Sequence, residues 1–298
     1  GQVDGVWFDQ CYVHDNSNPG INANCSVDPT MFHGTEGAKI WITNCLLEGC
    51  YILAGGRTVV VANNVLRCSA TQAATGADSI NVGSSECITV VNNIIENWYA
   101  TASTSLIHIG LGDDANNARG SCVVANNIVR NCRLTNTTVG GTIYIESNIG
   151  PTSVFGNIIS GCGVVGGATP QRSIVIGGSL TGHVSVWGNT ITGGTGYYGN
   201  PDGAGTVNVE GVRILASAGA SGAYDVHVGE NYFGPDVPEA QRYVFDPAAL
   251  PVNKQVYRGA APPVAARVGD VWVDPAPASQ GFIGQVCTTG GNPATWKS

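Results

Sequence analysis

Residues 59–68, VVVANNVLRC, and residues 122–131, CVVANNIVRN, are close to the same ten residues written twice: apolar positions, a pair of Asn, two more apolar positions and an Arg. Working outward in both directions, the pattern occurs eight times. It reads VWFDQCYVHD (6–15), IWITNCLLEG (40–49), VVVANNVLRC (59–68), ITVVNNIIEN (88–97), CVVANNIVRN (122–131), TSVFGNIISG (152–161), VSVWGNTITG (184–193) and VHVGENYFGP (226–235). Aligned, the copies place Cys11, Cys45, Asn64, Asn93, Asn127, Asn157, Asn189 and Asn231 in one column, at spacings of 34, 19, 29, 34, 30, 32 and 42. A repeated unit that cannot bury its own apolar face must stack on its neighbours.

Asn tolerates the left-handed backbone needed where a chain bends sharply between strands, and its amide can bond an identical amide one repeat away. The column is therefore expected to be a buried Asn ladder. Cys11 and Cys45 continue it as small fillers, and Cys50, Cys132 and Cys162 form a second column five residues on. Cys is among the most buried residue types, so stacked free thiols are expected rather than bridges.

A second strand precedes each ladder strand: Ile80 and Val82 before Gly83, Ile107 and Ile109 before Gly110, Ile143 and Ile145 before Glu146, Ile174 and Ile176 before Gly177, Val212 and Ile214 before Leu215. The segment after the Asn supplies a third. Three strands per turn, each pairing with its counterpart one coil on at about 4.8 Å, describe an all-β, right-handed parallel β-helix of about eight coils. A β-propeller needs four strands in some 40 residues, and the 19-residue repeat is too short for that. From Pro235 the sequence turns Pro-rich. The expected organisation is a β-helix over 1–234, a linker over 235–257 and a small β module over 258–298, for trimerisation or a distal tip, with strands in GDVWV, GFIGQVCTTG and ATWKS.

Composition narrows the function. The net charge is −8 with 13 Lys and Arg, so a phosphate-tracking surface is not expected and nucleic acid is a poor partner. No run approaches a membrane span, and GQVDGVWFDQ lacks the regions of a signal peptide. Beginning in mid-pattern, the chain is expected to be a piece of a longer one. No zinc-type spacing of Cys and His occurs, and neither a metal nor a cofactor is expected.

Period-2 alternation assigns the outward faces. Four residues before the ladder column stand Trp7, Trp41, Val60, Thr89, Val123, Ser153, Ser185 and His227, and the next outward column adds Val91, Phe155 and Trp187. Such an apolar stripe points to self-association. After the column come His14, Glu48, Arg67, Glu96, Arg130, Ser160 and Thr192, a cross-strand charge ladder that makes Glu48 and Glu96 structural. The remaining sheet presents Leu53, Asn81, His108, Tyr144, Val175 and Arg213, with Glu146 where other coils place Gly. Beyond His108 lies GLGDDANNARGS with Asp113, Asp114 and Arg119; Asp78 and Glu210 precede their strands, and an insert carries Tyr197, Tyr198 and Asp202.

Tyr rings beside carboxylates on an open face suit carbohydrate. Glu146 with Asp113 or Asp114 from the adjacent coil falls within the span of both glycosidase geometries, one carboxyl protonating the leaving oxygen while the other attacks or activates water. Asp-Asp in a Gly-Asn loop also has an ordinary reading as turn chemistry. Substrate-binding candidates are His108, Tyr144, Arg213, Asn81 and Arg119. His108 or Tyr144 as base, with Arg213 neutralising a uronate carboxylate, gives a lyase as the alternative, and binding without cleavage is a third possibility.

The Asn-laddered helix, followed by RGAAPPVAARVGDVWVDPAPASQGFIGQVCTTGGNPATW (258–296), resembles the distal part of bacteriophage tailspikes, whose short terminal modules carry a GD, a Gly-rich strand ending VCTTGG and a final Trp. The resemblance implies a homotrimer of parallel β-helices on the virion tail, assembled in the reducing host cytoplasm, that binds and often cleaves a bacterial surface polysaccharide such as O-antigen or capsule. Pectate lyases, polygalacturonases and epimerases share the helix motif. No Asp column suited to calcium and no three-Asp arrangement of the polygalacturonases is present, so no family catalytic residue transfers.

Overall fold

The computed structural model describes residues 5–14, 21–24, 39–68, 78–83, 85, 87–100, 105–110, 121–134, 140–146, 151–164, 169–177, 183–194, 207–215, 225–245, 256–258, 262, 271–273, 284–289 and 295–297. Three sheets of eight parallel strands make up a parallel β-helix of eight coils. The first sheet holds the strands before the ladder column, from Gly5–Asp9 through Lys39–Thr43 and onward to Asp225–Val228. The second holds the short strands after it, from Tyr12–His14 to Tyr232–Phe233. The third runs from Ile21–Asn24 to Tyr243–Phe245. Each strand bonds to its counterpart one coil away, so Trp7 meets Trp41, Trp41 meets Val60, and the register continues to Ser185 and His227.

The interior follows from the alternation. Ile40 and Ile42, Val59 and Val61, Val184 and Val186 are buried from the first sheet; Leu47, Leu66 and Ile95 from the second; Ile80 and Val82, Ile107 and Ile109, Ile143 and Ile145 from the third. Each such side chain is worth roughly 1.5–3 kcal/mol relative to exposure. Stacking like on like in every coil makes that burial continuous along the axis.

The corner between the first and second sheets divides its two tasks between adjacent residues. The repeat pattern alone places both on the ladder Asn. The left-handed residue is in fact the one before it: Gln10, Asn44, Asn63, Asn92 and Asn126 have φ of 55° to 59°, and Gly156 and Gly188 have φ of 65°. The ladder Asn then turns its amide inward. Asn93 Oδ1 accepts from the backbone N–H and the Nδ2 of Asn64, both at 3.0 Å, and Asn127, Asn157, Asn189 and Asn231 repeat the arrangement one coil on. Each Nδ2 also donates to a carbonyl one coil back, as Asn93 does to Val61 O at 2.9 Å. A chain of fully buried amides is thereby satisfied, as burial demands.

The ladder ends in a substitution. Where a seventh Asn would accept the Asn231 N–H, the hydroxyl of Tyr243 accepts it at 3.3 Å and donates to Gly229 O at 3.4 Å. Tyr243 belongs to the last strand of the third sheet, which pairs with Val209–Ile214 and follows a short helix, Glu239–Arg242. The β-helix thus extends into the segment expected as linker, because the Pro-rich stretch carries the residues that close its last coil.

The nine described cysteines are all unbridged, and Cys45, Cys50, Cys132 and Cys162 are buried in the expected columns. The C-terminal sheet has four strands: Val256–Arg258 runs parallel to Val271–Val273, which pairs antiparallel with Gly284–Thr289, itself antiparallel to Thr295–Lys297. Three were expected; the first is only three residues long and lies at the end of the Pro-rich stretch. Among the described residues no helix is long and apolar enough to cross a membrane.

Candidate functional site

The third sheet brings Leu53, Asn81, His108, Tyr144, Val175 and Arg213 into one outward column, as expected from alternation. At its centre, three successive coils each contribute one ionisable group. Asp78 leads into the strand Ile80–Gly83, His108 is the middle residue of Ile107–Ile109, and Glu146 follows Ile143–Ile145. His108 Nδ1 lies 3.0 Å from Asp78 Oδ2, and His108 Nε2 lies 2.8 Å from Glu146 Oε2.

Each contact is supported from behind. Asp78 Oδ2 also accepts from Asn81 Nδ2 at 2.8 Å, and its Oδ1 accepts the backbone N–H of Ser105 at 3.2 Å. An ionised carboxylate can only accept, so the Nδ1 proton of His108 is directed at Asp78, which fixes the ring and leaves Nε2 facing outward. Glu146 reaches that nitrogen across Gly110: a Cβ there would lie 3.4 Å from Glu146 Oε2 and 3.5 Å from His108 Nε2. The Tyr144 ring stacks on the imidazole with centroids 5.3 Å apart and planes 17° from parallel.

Burial is the largest single influence on His108 and favours its neutral form, but the hydrogen bond and charge of Asp78, joined by those of Glu146, outweigh it and raise the pKa above the ordinary 6.5. Exposure divides the roles. The Asp78 side chain is 10% exposed, that of His108 16% and that of Glu146 50%, so Glu146 is the member that meets solvent. Tyr144, expected to touch substrate, is only 5% exposed. Burial, then the charge of Glu146, push its phenol pKa up, so it stays a neutral stacking partner.

Arg213 has another task. Its Nε and Nη2 donate to Glu210 Oε1 and Oε2 at 2.7 and 2.8 Å, and Arg172, one coil back, has its Nε 3.8 Å from the same carboxylate. Glu210 is buried, and Arg213 is the partner that gives both of its carboxyl oxygens a hydrogen bond there. Asp113, Asp114 and Arg119, and likewise Tyr197, Tyr198 and Asp202, lie outside the described residues.

The charge ladder of the second sheet is present. Arg67 Nε donates to Glu48 at 2.7 Å, Arg130 Nη2 to Glu96 at 2.6 Å, and the Tyr12 hydroxyl to Glu48 at 2.6 Å. The bond from Tyr12, then that from Arg67, hold the Glu48 carboxyl below its usual range. A second apolar column lies on the outer side of the same sheet, where Tyr12, Leu46, Val65, Ile94, Ile128 and Ile158 follow one another in register.

Asp78 was noted in the sequence as a nearby acid and not as a site member. The signal was its register: Asp78 and Asn81 stand three apart where the later coil places Glu210 and Arg213, and both pairs bond. Among the described residues no group of three or more His, Cys, Asp or Glu is arranged to hold a metal ion. No family model, curated protein or solved structure matches the chain, so its chemistry rests on the geometry above.

Proposed function

We propose that this chain is the polysaccharide-binding and depolymerising part of a bacteriophage tailspike, cutting O-antigen or capsule by glycoside hydrolysis on the outer face of the third sheet. The observation that carries the reading is the Asp78–His108–Glu146 arrangement, in which an imidazole pinned at Nδ1 presents Nε2 to a half-exposed carboxyl group. Hydrolysis needs a carboxyl group that gives a proton to the leaving oxygen. Glu146 takes that role, drawing the proton it delivers from the Nε2–H of His108, which is left neutral and bonded to Asp78. The second carboxylate, which attacks or activates water, is assigned to Asp113 or Asp114, in the segment following the His108 strand. Asn81 acts as a positioning residue through Asp78.

The lyase alternative loses its proposed cation to Glu210, since Arg213 already gives that carboxylate two hydrogen bonds. Association of three copies belongs to the same proposal. It is supported by the stacked Trp7 and Trp41 and by the apolar column from Tyr12 to Ile158.

The test is incubation of the purified chain with candidate surface polysaccharides, following chain length and end groups. New reducing ends support hydrolysis. Unsaturated ends absorbing in the ultraviolet identify a lyase, and binding with no change in length identifies an adhesin.

A further inference from the structure

Phe155 and Trp187 are neighbours in register on the outside of the first sheet, and their rings stack with centroids 4.7 Å apart and planes within 2°. In such a ladder each ring is covered on one side by the coil before and on the other by the coil after. Phe155 covers one face of Trp187. The next coil continues with the strand Asp225–Val228, and Gly229 occupies the position that would carry the third ring. Trp187 is 46% exposed, and among the described residues no ring stacks on its second face.

We propose that this vacancy is a sugar-binding subsite, separate from the Glu146 face, that takes a pyranose ring with an unbroken C–H face. Three observations converge on that occupant. The open indole face is backed by a second ring that holds it flat, and the electron-rich face of an indole attracts the polarised C–H bonds of a sugar. Gly229 places no side chain on the stack, and a Cβ there would crowd Trp187 Cβ at 3.0 Å, so the position next to the indole stays bare. The rim is polar: Ser185 and His227 are the outward residues two positions before Trp187 and Gly229, and His227 Nε2 lies 3.6 Å from that Cβ position. An apolar platform with hydrogen-bonding groups at its edge fits a sugar better than it fits a wholly apolar partner. The subsite does not depend on the hydrolytic reading of the third sheet.

The test is saturation-transfer NMR with methyl β-D-glucopyranoside, whose H1, H3 and H5 share one face, on the full chain and on Trp187→Ala, Trp187→Phe, Trp7→Ala and Glu146→Gln. The expected result is transfer concentrated on H1, H3 and H5, reduced at least about tenfold in Trp187→Ala, partly kept in Trp187→Phe and unchanged in Trp7→Ala and Glu146→Gln. Equal transfer in Trp187→Ala and wild type, transfer spread evenly over all sugar protons, or no transfer at all overturns the proposal. Glu146→Gln keeps the two readings apart, since it removes cleavage under the hydrolytic proposal and leaves this binding intact.

Discussion

His108 Nε2 stands 2.8 Å from Glu146 Oε2, one coil further along the helix and across the bare Cα of Gly110. With Asp78 on the opposite nitrogen, the imidazole is held between two carboxyl groups, which together outweigh the burial that opposes its charge. The His108 pKa is expected above 6.5 in an NMR titration of the ring protons. Asp78→Asn lowers it more than Glu146→Gln, because the Asp78 bond and charge outrank those of Glu146. The folded protein holds this proton more tightly than the unfolded chain, so the stability His108 contributes is full below about 6.5 and is lost as pH rises through the raised folded value. A denaturation midpoint that falls over that window in wild type, and stays flatter in His108→Gln, is the expected outcome.

The corner predicts opposite results at adjacent residues. Asn127→Ala strips the acceptor from the backbone N–H and Nδ2 of Asn93, both buried, and is expected to cost about 3 kcal/mol in denaturant unfolding, from two unsatisfied donors at roughly 1–3 kcal/mol each. Asn126→Gly, one residue earlier, supplies a left-handed position that glycine adopts freely, and is expected to change stability by about 1 kcal/mol or less.

Tyr243→Phe tests the closing of the ladder. It removes the hydroxyl that accepts the Asn231 N–H and donates to Gly229 O, and is expected to lower stability by about 1 kcal/mol with the fold intact by circular dichroism.

The thiols divide by burial. Burial pushes Cys50 up to about 11 and Cys122 up to about 12, while Cys87 is exposed. The thiolate is the reactive form, so alkylation of the native protein near pH 8, read by mass spectrometry, is expected to mark Cys87 and to spare Cys50, Cys122, Cys132 and Cys162 until the chain is denatured.

The helix was legible because burial repeats in every coil: the columns of Ile and Val and the ladder from Asn64 to Asn231 follow from periodicity alone. The residue that bends the chain at the corner does not follow from it as directly. In VFGN and VWGN the glycine one place before the Asn marks where the left-handed residue sits, but the doubled Asn of three other copies hid which of the pair bends the chain. The site was legible in part, since alternation put His108, Tyr144 and Asn81 on one outer face and singled out Glu146 where other coils carry Gly. Asp78 escaped selection because its bond to His108 spans 30 residues and depends on the coil-to-coil offset. Arg213 was misread as available because its partner, Glu210, lies buried at its own strand's start, where sequence shows only a nearby acid.

The most direct measurement is the rate at which Glu146→Gln shortens a surface polysaccharide that the wild-type chain cuts, with binding followed in parallel. The account predicts a loss of at least about a hundredfold in rate with binding retained, as removal of a general acid commonly gives. Cleavage by Glu146→Gln and by His108→Ala at the wild-type rate would contradict it and place the chemistry elsewhere on the helix.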